Sequence, residues 1–382
     1  MTICDTVKCS GCFACQNVCP KNCISMTEGR LGHLYPQIDE SLCINCGACS
    51  RVCPQNNLPE MSVPTAAYAT RSKDTDEYEN ASSGGLAAVL SRRMLGRGGI
   101  VYGCSSETEG GIKHVRIESE SDLWLLSGSK YVQSHINLIF RNVKEDLENR
   151  KPVLFIGTPC QVAGLINYLK KPYENLITAD LICHGVPSQK MLFEHLENVG
   201  AAGGKYITFR EKAGLYIRVS DENKEPIYYK ESFDDDYYLG FLCNISLRDS
   251  CHSCAFAKNE RVSDITIGDF WGLSPQAEIK KPYGISLALP VTDRGREFFE
   301  ACSDMLDSEE RPTSEAFAGN SPLRKPVGKA KDREKFIKNY EKKGFKKAAA
   351  RSLFKKRLRS KTIRLLQKIG LLKKLINILR RK

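Results

Sequence analysis

Three things are missing from this chain, and each closes off a class of function. No stretch comes near the roughly 20 consecutive apolar residues that a membrane-crossing helix needs, so no span is expected. The opening residues, MTICDTVKC, lack the basic start and apolar stretch of a secretory leader. No GxGxxG follows the first strand of the α/β region, which leaves nicotinamide dinucleotide binding without support. Cysteine, by contrast, is abundant, with 17 in 382 residues. Without a leader, that many thiols point to a reducing cytoplasm, where they serve as metal ligands. At about 100–200 residues per domain, the length suggests two or three domains.

Eight of the cysteines fall in two matching runs. Cys9, Cys12, Cys15 and Cys19 precede Pro20, and Cys43, Cys46, Cys49 and Cys53 precede Pro54. Each run reads C-x2-C-x2-C-x3-C-P. Three thiolates two residues apart can wrap one face of a cubane, while the fourth, three residues further on, turns away toward the other cluster. The expected ligand sets are therefore Cys9, Cys12, Cys15 with Cys53, and Cys43, Cys46, Cys49 with Cys19. Zinc prefers paired C-x2-C knuckles, and disulfides have no reason to repeat this spacing. The run resembles a bacterial-type two-cluster ferredoxin over residues 1–58, with Ile24 to Ile38 supplying short strands and a turn. Gln55 to Thr65, polar with two prolines, reads as the exit linker.

From Ala66 onward strands and helices alternate. AAYATR reads as a strand, LAAVLSRRML (Leu86 to Leu95) as a helix, then IVYG as a strand. PVLFIG runs through TPCQ into the helix VAGLINYL, and LITADLIC runs through HGVPS into a helix beginning near Gln189. Between Lys205 and Lys230 the alternation is that of antiparallel strands. The expected fold class is an α+β ferredoxin-like domain, followed by an α/β domain with a mostly parallel sheet and an antiparallel insertion, then a basic helical C-terminal tail. The domain boundaries read 1–58, 66–324 and 325–382.

Loops after parallel strands gather at one sheet edge, where ligands bind. Cys160 follows one such strand, Cys183 ends another, and Cys251 and Cys254 lie shortly before DITIGDFWG, so the four can converge at one edge. On the residues alone four readings stand: a third iron–sulfur cluster, a four-thiolate zinc site, ordinary small buried residues, or a reactive Cys160 at a strand-to-helix turn. Ser82-Ser83-Gly84-Gly85 before a helix reads either as a plain N-cap or as an anion cradle. Cys4, Cys23, Cys104, Cys243 and Cys302 fit no ligand set and are expected as core or surface thiols.

Longer motifs add a family. GTPCQVAGL (157–165), DLICHGVPS (180–188) and CHSCAFAKNERVSDITIGDFWG (251–272) resemble the signatures of the beta-subunit family of deazaflavin-dependent hydrogenases and dehydrogenases. GSKYVQS (128–134) and SSGG (82–85) fit the same family. The resemblance implies FAD alongside iron–sulfur clusters, and a cluster on Cys160, Cys183, Cys251 and Cys254 near the flavin. It also implies flavin contacts at Ser82, Ser83, Gly84, Gly85, Lys130, Tyr131, Thr158, Gln161, Asp264 and Asp269. Lys130 is the candidate cation beside the flavin ring, and His184 the candidate proton donor. Lys130 also reads as a solvated surface group, and His184 as a helix cap. Arg261 and Trp271 fall in the same stretch, where an ion pair of Arg261 with Asp264 is the simplest reading.

Net charge is +12, and its distribution is uneven. Lys325 to Lys382 holds 23 basic and 3 acidic residues, so the other 324 residues carry −8. Phe354, Leu358, Leu365, Ile369, Leu372, Ile376 and Leu379 recur at three- and four-residue intervals among those cations, the pattern of a basic amphipathic helix kinked near Gly370. Anionic lipid, the acidic body, a partner protein and plain solvent are all open as its surroundings. Nucleic acid is not expected, since from Lys346 onward the basic residues lack a set of aromatic residues interleaved for stacking and no recognition fold accompanies them. The functional expectation is an iron–sulfur flavoprotein oxidoreductase, cytoplasmic or at the inner membrane face. It would link a ferredoxin-level donor to a small two-electron acceptor; the alternative is a non-catalytic electron-transfer subunit of a larger redox complex.

Overall fold

The computed structural model describes residues 2–211, 214–279 and 282–368. In the N-terminal lobe, β1 (Ile24–Glu28) and β2 (Leu34–Ile38) form an antiparallel hairpin with Ile24 opposite Ile38. Two short helices, Ala14–Val18 and Ala48–Arg51, carry the cysteine runs. Each helix starts from a left-handed residue, Phe13 (φ 64°) or Gly47 (φ 70°), and each run has another two residues earlier, Gly11 (φ 63°) or Asn45 (φ 53°). Left-handed residues set among right-handed ones turn successive backbone N–H groups to the same side, making a concavity suited to anions. The two runs thus share one backbone plan.

The second lobe is built on an eight-stranded sheet. Its strands are β3 (Ala67–Ser72), β4 (Ile100–Cys104), β5 (His114–Ile117), β6 (Val153–Gly157) and β7 (Leu176–Leu181). After an insertion of β8 (Tyr206–Glu211), β9 (Gly214–Ser220) and β10 (Pro226–Glu231) come β11 (Ile265–Asp269), β12 (Ser286–Pro290) and β13 (Leu306–Arg311). The spatial order is β13-β3-β12-β11-β7-β6-β4-β5, with β10-β9-β8 as a separate antiparallel sheet. Pairing is parallel among the four central strands β4, β6, β7 and β11, and antiparallel toward both flanks. Strands covered on both faces need apolar residues throughout, and Val153, Leu154 and Phe155 of β6 are fully buried. The α/β class and the antiparallel insertion are as expected from sequence. The flanking strands β5, β12 and β13 were not foreseen.

The lobes share a core. Cys12, Phe13 and Ala14 lie in one apolar cluster with Phe140, Phe155, Val162 and Leu165 of the second lobe. Nor is the linker loose: Ser62 and Arg261 exchange backbone hydrogen bonds of 3.0 and 2.8 Å.

The C-terminal helix, Arg333–Lys368, breaks at Gly344 (φ 72°, ψ 177°). The kink expected near Gly370, and Ile369, Leu372, Ile376 and Leu379, lie outside the described residues. Up to Leu353 the helix belongs to the body, with Phe336, Ile337, Tyr340, Phe345, Ala348, Ala349 and Leu353 buried in one core with Met191, Phe209 and Tyr237. Beyond it Phe354 and Leu358 are exposed. No helix among the described residues is long and apolar enough to cross a membrane.

Candidate functional site

The N-terminal thiols form two groups whose surroundings differ. Cys9, Cys12, Cys15 and Cys53 are buried together, and each of Cys12 and Cys15 lies within electrostatic reach of Cys53. Burial pushes the Cys15 thiol up to about 12. Cys9 is pulled down to about 6, first by the S–H of Cys4 and then, against the cost of burial, by the Arg248 guanidinium. Backbone N–H groups of Gly11, Ala14 and Gln16 donate toward Cys9, Cys12 and Cys15. The second group, Cys19, Cys43, Cys46 and Cys49, lines a small concavity with Pro20, and Cys46 is open to solvent. Leu42 and Ile44 beside it are 55% and 56% exposed.

Two thiols missed by sequence reasoning stand beside these groups. The sulfur of Cys23 lies 3.4 Å from that of Cys19, and Cys4 donates toward both Cys9 and Cys53. Neither belongs to the repeated spacing, so no sequence pattern marks it. The fold brings them in because the N-terminal strap and the start of β1 close over the cysteine loops.

A third group assembles at the sheet edge. Cys160 sits in the first turn of the helix Pro159–Leu169, directly after β6. Cys183 follows the adjacent strand β7, and Cys251 and Cys254 come from the turn around Asp249–Ser253. All four line one cavity with ≈ 60 Å³ of space for the centre of a water molecule. Burial raises every one of these thiols, Cys251 to about 12 and Cys254 to about 11, and neighbouring thiols add to it at Cys183, Cys251 and Cys254. Four thiols that resist ionisation together are a donor set that a cationic group would stabilise. The Gly185 N–H donates to Cys183 at 3.4 Å, as the nearby Val186 N–H does toward Cys251.

Only a short step separates the third group from the first. Ser10 and Gln133, which holds the Cys9–Cys12 loop by donating to the Ser10 and Gly11 carbonyls at 2.8 and 3.3 Å, line the same cavity. The helix behind Cys160 presses Gly164 against Cys12, so that a Cβ on Gly164 would stand 3.0 Å from its sulfur.

Two regions of the chain match known family models. Residues 150–316 match the family model for the C-terminal part of the coenzyme F420 hydrogenase/dehydrogenase beta subunit. Residues 8–57 and 35–87 match two models of the 4Fe-4S dicluster domain. The chain thus carries a segment similar to the C-terminal part of this beta subunit behind a 4Fe-4S dicluster region. Among solved structures, a chain in the F420-reducing NiFe hydrogenase complex from Methanosarcina barkeri aligns at 19% identity with a TM-score of 0.45, over 76% of this chain and 91% of that chain. Curated proteins give no match.

The other motif residues divide into two kinds. The first kind is taken up by the fold. Ser83 donates to the Ile285 carbonyl at 2.9 Å, the Gly84 N–H donates to Ser286 at 2.9 Å, and Ser82 accepts the Ser129 N–H at 2.9 Å. A Cβ on Gly84 would stand 2.2 Å from the Thr70 carbonyl oxygen. The SSGG turn is a clasp between β3, β12 and the GSKYVQS loop. Lys130 gives its ammonium protons to the carbonyls of Leu126, Ser127 and Gly128 at 2.9, 3.1 and 2.8 Å, so it is no solvated surface group. Burial pushes its pKa down. Gln161 closes the capping box with Thr158.

Asp264 is buried and fully occupied, accepting from the Thr178 N–H and hydroxyl, the Thr292 hydroxyl and Arg294, each at 2.8 Å. The expected Arg261–Asp264 pair is not formed. Arg261 instead grips both oxygens of Asp180 at 3.0 Å, because β7 and β11 are neighbours and Asp180 faces it.

The second kind remains grouped at the strand ends. Asp269 at the end of β11 pairs with Arg210 of β8. Tyr131 stacks on Phe241 with ring centres 4.7 Å apart and lies beside Arg210. His184 is exposed, within reach of the Asp269 charge. Arg210 Nε is buried and has no partner among the described residues. The sequence reading missed Arg210, since only the separate insertion sheet brings it here.

Proposed function

We propose that the chain is an iron–sulfur flavoprotein oxidoreductase that takes single electrons from a ferredoxin-level donor and hands them in pairs to a small acceptor. Cys43, Cys46, Cys49 and Cys19 would hold one 4Fe-4S cluster, Cys9, Cys12, Cys15 and Cys53 a second, and Cys160, Cys183, Cys251 and Cys254 a third. Bound clusters supply one-electron carriers, and bound FAD supplies the two-electron store that clusters lack. The observation that carries this reading is the continuity of thiols from a solvent-exposed group, through a buried one, to a cavity at the sheet edge.

The donor sets fit such groups. Backbone N–H groups aim at the sulfurs, and water is excluded from Cys12 by the core shared between the lobes and from Cys15 by the N-terminal cluster around Ile24 and Ile38. Four thiols spread around one cavity suit a polynuclear group. For the flavin, the best-supported face is that of Tyr131, Arg210 and Asp269, where the orphan Arg210 Nε lacks an acceptor. Ser82–Gly85, Lys130, Thr158 and Gln161 shape its wall, and exposed His184 is the proton donor. Deazaflavin itself is one candidate acceptor.

The family description, a beta subunit, favours a second reading in which the chain is an electron conduit for a separate catalytic polypeptide. Anaerobic purification with iron, sulfide and flavin measured together tests the proposal. About twelve irons with one FAD per chain is the expected result, at four irons per cluster. About eight irons, or an unchanged count in Cys160→Ser and Cys254→Ser, would remove the third cluster. Two-electron reduction of a deazaflavin or other small acceptor by the isolated chain supports the enzyme, whereas passage of electrons only with a partner protein present supports the conduit.

A further inference from the structure

Arg248 belongs to two thiol groups at once. Its backbone lies in the frame of the third group: its N–H donates to the Val186 carbonyl at 2.9 Å and its own carbonyl accepts from the Cys251 N–H at 3.1 Å. Its side chain runs the other way, into the first group. Nε donates to the Cys9 carbonyl at 2.6 Å, Nη2 to the Leu34 carbonyl at 2.8 Å and toward the Cys9 sulfur at 3.5 Å, and Nη1 to Gln133 at 3.0 Å. The guanidinium also lies 4.2 Å from the centre of the Tyr35 ring.

The residue is 1% exposed. Among its described hydrogen bonds the acceptors are carbonyl oxygens, an amide oxygen and a thiol, and none is a carboxylate. A buried guanidinium is always charged, and holding it away from water without a counter-charge is costly. The anion that would balance it is the one the neighbouring cysteines would create on binding iron. Among the described residues the second group has no buried guanidinium bonded at a ligand: the side-chain bond of Cys43 goes to neutral Asn45, Lys21 lines its concavity, and Cys46 faces solvent.

We propose that Arg248 sets the reduction potential of the buried N-terminal group, holding an arriving electron at Cys9, Cys12, Cys15 and Cys53 next to the Cys160 set. This rests on the cluster assignment proposed above. A fixed positive charge and an N–H aimed at a ligand sulfur both favour the reduced, more negative state, and low local polarity strengthens them. The step is transfer of one electron between two groups with no proton, since a guanidinium does not titrate. Arg248 is a positioning and potential-setting residue, and the electron itself passes between the clusters.

The test is an anaerobic redox titration, followed by electron paramagnetic resonance, of the full chain with its metal. Arg248→Met removes the charge at similar volume. At wild-type iron content, one cluster should become at least tenfold harder to reduce, which is about 59 mV for one electron, while the exposed cluster keeps its potential. Arg248→Lys should restore part of the shift. Gln133→Glu leaves Arg248 in place but sets a carboxylate against it, and should shift the same cluster in the same direction if Arg248→Met does not fold. Unchanged potentials in an iron-replete Gln133→Glu or Arg248→Met protein would overturn the proposal. A wild-type chain without iron would instead bring down the cluster assignment beneath it.

Discussion

The two cysteine runs are near copies in sequence and opposites in setting. Both use left-handed residues at matching positions to curl their loops, and both start a short helix at the same place. Yet the group containing Cys12 is sealed against Phe140 and Val162, with Arg248 and Gln133 holding its loop, while the group containing Cys46 meets water beside Leu42 and Ile44. Repetition in the chain fixes how thiols are presented. What they face afterwards depends on where the second lobe lands.

The sharpest test of this contrast is the ligand crossing. Cys53→Ser should remove about four irons from the buried group and Cys19→Ser about four from the exposed one. Only the former should also lower the melting temperature of the whole chain, because the group it empties includes Cys12, which packs in the core shared by the lobes. Equal melting of the two variants would erase the distinction between the groups.

A second pair of substitutions compares crowding at the two sites. Gly164→Val drives a side chain into Cys12 and should cost about 1–3 kcal/mol by overpacking. Gly47→Ala in the exposed loop meets only the flexible end of Arg51, so its cost, about 1–2 kcal/mol, is that of a left-handed backbone with a Cβ. Denaturant unfolding measures both.

Acid should loosen the junction before the exposed loop. His33, which bonds the Val186 carbonyl at 3.0 Å, is held well below its ordinary pKa by burial and then by Arg248; His135, against Phe13, is pushed by burial to about 4. A histidine depressed in the folded state binds more protons when unfolded. Its contribution is therefore intact above about pH 6.5 and is lost as pH falls toward 4. For His135 the loss should reach about 3 kcal/mol across that window. A stability–pH curve that is no flatter in His33→Gln would count against this account.

The smallest effect belongs to the surface bridge Lys190–Glu28 between the lobes, 2.6 Å long and half exposed. Lys190→Ala should cost about 0–1 kcal/mol and less in high salt. A larger loss would mean that charge, rather than apolar contact, joins the lobes.

Much of the layout was legible because local chemistry repeats. The helix Leu86–Leu95 and strands β4, β6 and β7 followed from apolar runs punctuated by glycine and loop residues. Strands β12 and β13 were missed, since their partner β3 lies more than two hundred residues earlier and no local period announces it. The SSGG turn, open between an N-cap and an anion cradle on the residues alone, shows how tertiary neighbours add contacts that composition does not announce. Its residues have the composition of an anion cradle, but the nearness of Thr70 and Ser286, invisible in the chain, engages Ser83 and Gly84 internally. Arg261 likewise met Asp180 instead of Asp264 because strand neighbours, and not sequence neighbours, decide ion pairs.

The sequence by itself determined which thiols are offered in sets, because a spacing of two or three residues already fixes the direction of each sulfur along a curled loop. Tertiary structure alone decided which set is dry, which cation stands beside it and which stray thiols join it. Those properties arise from dense packing of segments far apart in the chain. Burial and charge act through space, and spacing along the backbone carries no record of them.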